Sequence, residues 1–460
     1  MNTDRVVIVY IILASLVSLW LFPFLISKVV GYDTLYHLLM VKDIIRNKTL
    51  FPHHPLICMP YEFSSWYPPF FHWFIAAFSL SNLQNVGYIL RALQVLLFPA
   101  CLYVIYLLYK NFGDKGDALL GVIILSFTFP FFMRTHLPYP EVFEHLLIAL
   151  TLMACLKGRE KICGVLLLIQ FFNHLITPFT LLFLIIAYWM YKKEKKSKIA
   201  TMVLIAVPGI IFQLMALPVY NDVLNATYSY KEGQYHLLES SYASSALSII
   251  IILLLGALEL WHNRRNINLL HFWVLILIPT FIYAPARFIT YAAVPLSLLT
   301  AAYVRRKSNA CCKTNLDKVV NAAIVLTVLI LVHGMLLSIN FYVHSYDLVT
   351  ADTRSNEAET QVMEWLVKNT NADDVIITWD TYDAYSILYY TERRVSNYKS
   401  NYNQSKYLYE VVGLNNSTSY CLYNRSGPPD NKWILIREWT FNLSKYDSHN
   451  KLDDGDVRVG

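Results

Sequence analysis

Charged residues are scarce in this sequence of 460 residues. They make up 15% of the chain, whereas a soluble domain has about 25%. Hydrophobic residues reach 56%, and the mean hydropathy is +0.40. This scarcity of charge excludes an ordinary soluble protein and predicts a membrane protein that crosses the bilayer many times and keeps some part in water.

The sequence also lacks a metal-binding cysteine pattern, internal repeats and low-complexity segments. Its seven cysteines show none of the paired spacings of zinc sites. Residues 6–28 are apolar over a longer stretch than the signal-peptide core of about 7–15 residues, so we expect a membrane span there and not a cleaved signal. The net charge of +6 comes from short basic clusters between apolar stretches, which does not predict a nucleic-acid partner.

Apolar stretches long enough to cross the bilayer recur along the chain. A helix needs about 20 residues to span roughly 30 Å of hydrocarbon. The candidate spans are 6–28, 88–109, 118–134, 142–157, 161–176, 177–192, 199–220, 243–261, 268–286, 288–304 and 319–342. The predicted fold is therefore a polytopic α-helical membrane protein with about eleven transmembrane helices.

The basic clusters predict the orientation of these spans. Examples are "KKEKKSK" at 192–198 and Arg305 to Lys307. Because cytoplasmic loops carry the excess of Lys and Arg, the N-terminus is expected in the cytoplasm and residues 343–460 outside it. All N-x-S/T sequons, from Asn47 to Asn442, fall on segments that this rule puts outside. We expect an integral, multi-pass protein in the plasma membrane of a prokaryote.

Two domains are predicted. Residues 1–342 form the transmembrane domain, including a first outer loop at 31–87, and residues 343–460 form a small extracytoplasmic α/β domain. Within the loop, "YPPFFHWFIAAFSL" (67–80) is apolar but too short to span, which favours a helix in the membrane interface. In the C-terminal domain, residues 355–370 have the pattern of a helix and 373–380 that of a buried strand.

Ionisable residues collect at the outer ends of the predicted spans. Such groups are costly in a membrane unless they work or are paired, so these positions mark a candidate site. A carboxylate there can deprotonate an acceptor or hold a divalent cation such as Mg²⁺ or Mn²⁺, and an arginine can hold a phosphate leaving group. The candidate site residues are Asp33, His37, His136, Glu141, Glu239 and Arg287.

Each of the three main candidates also has a purely structural interpretation. Asp33 can cap the helix that follows it. Glu141 can complement the dipole at the start of the fourth span, and Arg287 can extend its guanidinium to the interface. If the site exists, the carboxylates of Asp33 and Glu141 are expected within roughly 10 Å of each other, close enough to share an acceptor, a water or an ion.

The segments "YDTLYHLLMVKDI", "RTHLPYPE", "ARFITYAAVP" and Glu364 to Val395 follow one another in this order. Together they resemble the GT-C superfamily of membrane glycosyltransferases, and most of all a distant relative of the oligosaccharyltransferase catalytic subunit. "YDTLYHLLMVKDI" resembles the first acidic motif, which implies that Asp33 is the catalytic or metal-binding acid. "RTHLPYPE" resembles the second acidic motif and places Glu141 on its last acid. "ARFITYAAVP" resembles the arginine-containing span that meets the donor phosphate, which implies Arg287. The segment from Glu364 to Val395 resembles the start of the family's outer C-terminal domain.

The resemblance implies a glycosyltransferase, of inverting mechanism, that takes a sugar from a polyprenyl-phosphate or dolichyl-phosphate donor. His37, His136, Glu239 and Arg287 would bind substrate, and Asp33 and Glu141 would hold a cation. The acceptor would be a glycan, a lipid or a protein. Tyr139 stands where the family's second motif has a further acid, and around "TWDTYD" only Trp379 and Asp380 match the acceptor-reading motif.

Other functions compete with this one. The protein can be an oligosaccharyltransferase-like enzyme of protein N-glycosylation, a transporter of a lipid-linked substrate, or a non-catalytic membrane protein. Transporters place charged sites near the bilayer midplane, within repeats. The absence of repeats and the crowding of charge at the outer ends favour the enzyme.

Overall fold

The structure, a computed structural model of the chain, divides into two compact units. Unit 1 comprises residues 1–26 and 66–343, and unit 2 comprises residues 27–65 and 344–460. The residues that the structure describes are 9–10, 32–50, 68–126, 128, 131, 135, 140–174, 177–228, 252–283, 285–310, 363–364, 366–368, 375–378, 387–388, 390–392, 394–396, 408–413, 420–424 and 434–435.

Helices dominate the described residues up to position 310. They are α1 (Tyr32–Asn47), α2 (Phe70–Phe78), α3 (Leu83–Tyr109), α4 (Lys115–Ser126), α5 (Pro140–Leu156), α6 (Glu160–Phe171), α7 (Thr177–Tyr191), α8 (Lys196–Tyr228), α9 (Ile252–His262), α10 (Leu269–Tyr283) and α11 (Pro285–Ala310). The candidate spans from 88–109 through 288–304 each carry one of these helices. The candidate 319–342, and 6–28 apart from Val9 and Tyr10, lie outside the described residues.

One described helix is long and apolar enough to cross a bilayer by length and composition. It is Lys196–Ala216 within α8, with a mean hydropathy of 2.2. Shorter apolar helices are Leu96–Tyr109, Phe143–Leu156, Thr177–Tyr191, Ile252–His262 and Leu269–Ile278. The helical class is therefore confirmed, and the number of about eleven spans stays a prediction.

The outward face of α8 is apolar. Leu204 is 74% exposed, and Ile211 and Met215 lie on the same side of the helix and are exposed as well. The opposite side buries Met202 and Ala206 completely. Water-soluble proteins rarely leave such a continuous apolar face uncovered, so this face suits contact with lipid hydrocarbon.

Two glycines allow α6 and α8 to pack closely. A Cβ added to Gly164 on α6 would lie 2.9 Å from the main-chain oxygen of Met202, and one added to Gly209 on α8 would lie 2.5 Å from the Cβ of Phe171. Small residues at helix contacts let backbones approach closely, which is how membrane helices gain packing energy. The pair α6–α8 is therefore a rigid part of unit 1.

Helix α11 is anchored at several levels. Midway along it, the Tyr109 hydroxyl of α3 donates to the Val294 carbonyl. At its C-terminal end, Arg305 donates to the carboxylates of Asp114 and Asp117, and the hydrogen bond from Arg305 is the main reason that the pKa of Asp114 is lowered. These contacts fix α11 against the end of α3, the loop that follows it and the start of α4.

Unit 2 contains a five-stranded mixed sheet. Its strands are β1 (Val375–Thr378), β2 (Arg394–Ser396), β3 (Leu408–Gly413), β4 (Tyr420–Asn424) and β5 (Ile434–Leu435), in the order β2-β1-β3-β4-β5. Strand β1 pairs in parallel with β2 and β3, while β3–β4 and β4–β5 are antiparallel. The central strand β1 lies within the strand predicted at 373–380.

Helix α1 is joined to the C-terminal part of unit 2 by an ion pair. Lys42 Nζ and Arg46 Nη1 lie 2.7 and 2.6 Å from the same oxygen of Glu392. Arg46 lies in the last turn of α1, where the helix dipole also favours positive charge. Residues 31–65 of the predicted first loop thus group with residues 344–460, and the predicted domain boundary at 342 stays a prediction.

Candidate active site

The first acidic motif begins helix α1 of unit 2. Asp33 is the second residue of α1 and His37 follows it four residues later, one helical turn away. The His37 side chain is only 3% exposed, and its ring contacts that of Tyr36 edge-on with centroids 5.3 Å apart. The backbone positions of these two predicted site residues therefore lie on the same side of α1, in its first two turns.

The second acidic motif and the arginine motif also begin helices. Glu141 lies in the first turn of α5, and Arg287 lies in the first turn of α11. The other two candidates, His136 and Glu239, lie outside the described residues. Asp33 and Glu141 belong to different units, so their expected separation stays a prediction.

A buried carboxylate that follows Glu141 is the centre of a polar network in unit 1. Glu144 is 1% exposed. Its Oε2 accepts a hydrogen bond from the Tyr291 hydroxyl of α11, and its Oε1 lies 3.2 Å from Nδ1 of His174. The same nitrogen lies 3.1 Å from the Thr177 hydroxyl. Burial of a carboxylate is costly without such partners, so these contacts offset part of the cost of burying Glu144.

His174 lies in a short turn between α6 and α7 that is tied to three other elements. Asn173 donates its side-chain amide to the Pro140 carbonyl at the start of α5, 3.0 Å away. Gln213 of α8 donates to the His174 carbonyl at 3.1 Å, and the Phe70 amide of α2 donates to the Phe172 carbonyl at 2.8 Å. The turn is therefore fixed relative to the first turn of α5.

Aromatic side chains surround the same network. The His145 ring, 2% exposed, lies 5.1 Å from the Tyr291 ring and 5.1 Å from the Phe131 ring. Tyr291 also lies in the electrostatic field of both Glu144 and Glu141. The first two turns of α5 thus carry Glu141 and Glu144, and the first two turns of α11 carry the Tyr291 phenol and the backbone position of Arg287.

Several buried polar atoms near this turn have no hydrogen-bond partner within the part of the chain that the structure describes. They are Gln170 Nε2 and Oε1, Asn173 Oδ1 and Thr290 Oγ1. Buried polar groups in proteins are nearly always hydrogen-bonded. The region therefore suits water or the hydroxyl groups of a polar ligand.

The fit to a divalent cation is partial. Among the described side chains, no group of three or more His, Cys, Asp or Glu is placed to hold a metal ion. Of the two predicted ligands, only the Glu141 side chain is described, and Tyr139 replaces the second acid of the motif. Both predicted ligands are carboxylates, which Mg²⁺ prefers. Because the Asp33 side chain lies outside the described ones, a cation held by Asp33 and Glu141 stays a prediction.

Sequence reasoning missed the network itself. Glu144 and His174 were visible only as polar residues near span ends, and Tyr291 only as part of "ARFITYAAVP". The available signal was spacing: Glu144 is three residues after Glu141, and Tyr291 is four residues after Arg287. Both spacings place a residue one helical turn after a candidate on the same helix side.

Comparisons with known proteins show which solved structures share this fold. No protein-family model matches the sequence, and no curated protein matches it, but solved structures do. The Archaeoglobus fulgidus oligosaccharyltransferase tethered with an acceptor peptide containing the NVT sequon superposes with a TM-score of 0.59 at 12% identity, over 87% of this chain and 64% of that one. The same enzyme in complex with zinc and sulfate gives 0.56 at 13% identity, over 84% and 62%.

A second kind of enzyme matches over most of both chains. ArnT from Cupriavidus metallidurans bound to undecaprenyl phosphate superposes with a TM-score of 0.55 at 12% identity, over 86% of this chain and 86% of that one. The chain therefore shares its fold with the oligosaccharyltransferase and with ArnT, and the predicted resemblance is confirmed at the level of the fold. The chain is similar to both the oligosaccharyltransferase and ArnT, and it spans less than two thirds of the length of the former.

Proposed function

We propose that this chain is a GT-C glycosyltransferase that moves a sugar from a polyprenyl-phosphate donor to an acceptor at the extracytoplasmic face. The observation that carries the proposal is the fold shared over 86% of both chains with ArnT bound to undecaprenyl phosphate. The positions of Glu141 and Arg287 support it, because both lie in the first turns of helices joined by the Glu144–Tyr291 hydrogen bond.

The roles follow from the chemistry of an inverting transfer. Asp33 removes the proton of the acceptor while the acceptor atom attacks the anomeric carbon of the sugar. The bond to the donor oxygen breaks, and the polyprenyl phosphate leaves with the electron pair. Arg287 stabilises the phosphate through two parallel N–H donors, and the substrate-binding residues are His37, His136 and Glu239. Mg²⁺ or Mn²⁺ bound by Asp33 and Glu141 would add positive charge near the leaving group.

A second candidate function is N-glycosylation of protein. It is favoured by the similarity to an oligosaccharyltransferase that holds a sequon peptide, and by Trp379 and Asp380 in "TWDTYD". A transporter or a non-catalytic relative would bind the lipid phosphate and transfer no sugar.

A transfer assay on purified protein tests these functions. The protein would be incubated with a panel of polyprenyl-phosphate sugars, with lipid, glycan and sequon-peptide acceptors, in the presence and absence of EDTA. We expect release of polyprenyl phosphate and a glycosylated lipid or glycan. Glycosylated peptide would favour the second candidate, loss of activity in EDTA would support the cation, and no product from any donor would contradict the proposal.

A further inference from the structure

We infer that Tyr291 and Glu144 are positioning residues for the donor phosphate, and that their hydrogen bond sets the place of Arg287 relative to Glu141. The inference deepens the proposed function and rests on it. Neither residue contacts the reacting atoms in this account. They act by holding the first turn of α11 against the first turn of α5.

The argument begins with helix geometry. Tyr291 lies four residues after Arg287, about 6 Å further along α11, and Glu144 lies three residues after Glu141, about 4.5 Å further along α5. The Tyr291 hydroxyl donates to Glu144 Oε2. This bond therefore joins the two helices one turn after both candidate residues, and we infer that it limits how far the first turn of α11 can move from the first turn of α5.

The carboxylate is held from a second side. His174 Nδ1 lies 3.2 Å from Glu144 Oε1, and the turn that carries His174 is tied to α5 through Asn173 and to α8 through Gln213. Tyr291 thus contacts one oxygen and His174 lies near the other. Glu144 of α5 is therefore contacted from α11 and from the turn of His174, which are distant from it in sequence.

The network also supplies partners for the buried carboxylate of Glu144. A carboxylate deprived of its donors attracts the nearest cation strongly, because the surrounding dielectric is low. On α11 the nearest candidate cation is Arg287, one turn from Tyr291. The hydrogen bond from Tyr291 and the approach of His174 Nδ1 to within 3.2 Å both engage the Glu144 carboxylate, so we infer that Arg287 is not needed as its partner and can serve an anion such as a phosphate.

The experiment measures donor binding in four variants of the full chain in detergent. The probe is undecaprenyl phosphate, and the readouts are its Kd, the donor KM, kcat and thermal unfolding. We expect Tyr291→Phe to raise Kd and KM about tenfold, because the loss of one well-placed hydrogen bond has about this effect. The change in kcat should be much smaller. Glu144→Gln should lose only as much affinity as His174→Asn, because its single amide oxygen still accepts from Tyr291 while the contact with His174 is lost, whereas Glu144→Ala should lose affinity as Tyr291→Phe does.

The matched control is Tyr109→Phe. Tyr109 is a buried tyrosine that also hydrogen-bonds to α11, at Val294 and at Ser297, but about a turn further from the candidate site. It should lose thermal stability and keep the wild-type Kd. If Tyr109→Phe weakens binding as much as Tyr291→Phe, the effect is general loosening of α11 and the inference is overturned.

A double-mutant cycle shows whether the effect passes through Arg287. If Tyr291 acts by positioning that residue, Tyr291→Phe should cause no further loss of affinity in an Arg287→Ala background. An undiminished second loss would overturn the inference, as would a Kd for Tyr291→Phe within about twofold of wild type. If Tyr291→Phe does not fold, His174→Asn decides by the same readouts, with a smaller expected loss.

Two outcomes separate this inference from the proposed function. If the wild-type chain binds undecaprenyl phosphate through Arg287 and transfers no sugar, the proposed function fails while the positioning role is supported by the Kd values. If transfer is active and Glu144→Gln is as inactive as Glu144→Ala with unchanged Kd, the carboxylate takes part in the chemistry and the positioning role is overturned.

Discussion

Gly209 of α8 lies so close to Phe171 of α6 that a Cβ added to the glycine would stand 2.5 Å from the Phe171 Cβ. Phe171 is the last residue of α6, and its carbonyl accepts a hydrogen bond from Gln213, one turn after Gly209. The turn that carries His174 begins at the next residue. Helix packing at Gly209 therefore determines where one partner of Glu144 lies.

Gly209→Ala should destabilise the protein by about 1–3 kcal/mol, as overpacking of a tight contact does, and should reduce donor affinity through His174. The matched control is Gly87→Ala on α3, where an added Cβ meets nothing within 4 Å. That variant should be neutral or slightly stabilised, because alanine favours the helix over glycine by about 1 kcal/mol. Thermal unfolding in detergent measures both, and equal effects would contradict the packing argument.

Arg287→Ala should abolish transfer without impairing folding or membrane insertion. Arg287→Lys keeps the charge but loses the two-pronged geometry that matches a phosphate, so we expect transfer to fall substantially and some donor binding to remain. Donor Kd and transfer rate would be measured together. Normal folding and near wild-type donor affinity of Arg287→Ala would support an arginine that only extends to the interface.

Asp33→Asn should lower the rate of transfer by about 10²–10⁴-fold, the usual contribution of a general base, with donor affinity much less affected. Asp43→Asn serves as the control, since Asp43 is a further aspartate on α1 near the opposite end of the helix. Single-turnover transfer by both variants is the measurement. Wild-type rates for Asp33→Asn would leave Asp33 as a helix-capping residue.

The ion pair of Glu392 should make unit 2 less stable in acid. Hydrogen bonds from Lys42 and then Arg46 lower the pKa of Glu392 below its ordinary value of 4.5. The stabilisation is therefore complete above pH 4.5 and is lost as the pH falls through the lowered pKa. It is worth less than about 1 kcal/mol, since the Glu392 side chain is 47% exposed and screened by solvent.

Hydrogen exchange of the last turn of α1 measures this effect. Glu392→Gln should exchange faster than wild type at pH 7, and the difference should shrink below pH 4.5. Glu364→Gln, an exposed glutamate in the same unit, should exchange like wild type. A constant difference at all pH values would show that packing, and not charge, joins α1 to Glu392.

Membrane orientation can be tested by cysteine labelling. In a background without native cysteines, a cysteine at Ser355 should react with an impermeant maleimide in intact spheroplasts, because the basic loops place residues 343–460 outside. A cysteine at Lys195, in the basic run 192–198, should react only after lysis. Labelling of position 355 only after lysis would reverse the predicted topology.

The sequence predicted elements better than their juxtaposition. The apolar run 177–192 corresponds to α7 at Thr177–Tyr191, and the strand at 373–380 contains β1, because local apolar patterns largely decide helix and strand. The hydrogen bond between Glu144 and Tyr291 joins residues 147 positions apart. Such a pair depends on how α5 and α11 pack, which no local pattern encodes. Glu141 and Arg287 could be predicted as site candidates only because each belongs to a sequence motif.

Unit 2 has a consequence for synthesis of the chain. Its parts come from residues 27–65 and 344–460, and the Arg46–Glu392 hydrogen bond joins positions 346 residues apart. At about 5–20 residues per second, a ribosome needs roughly 20–70 s to make that interval. Until Glu392 has been synthesised, Lys42 and Arg46 of α1 lack the carboxylate with which they pair. In a nascent chain that stalls before Glu392, the basic end of α1 stays accessible to chaperones and proteases. Folding of unit 2 can therefore be completed only late in synthesis.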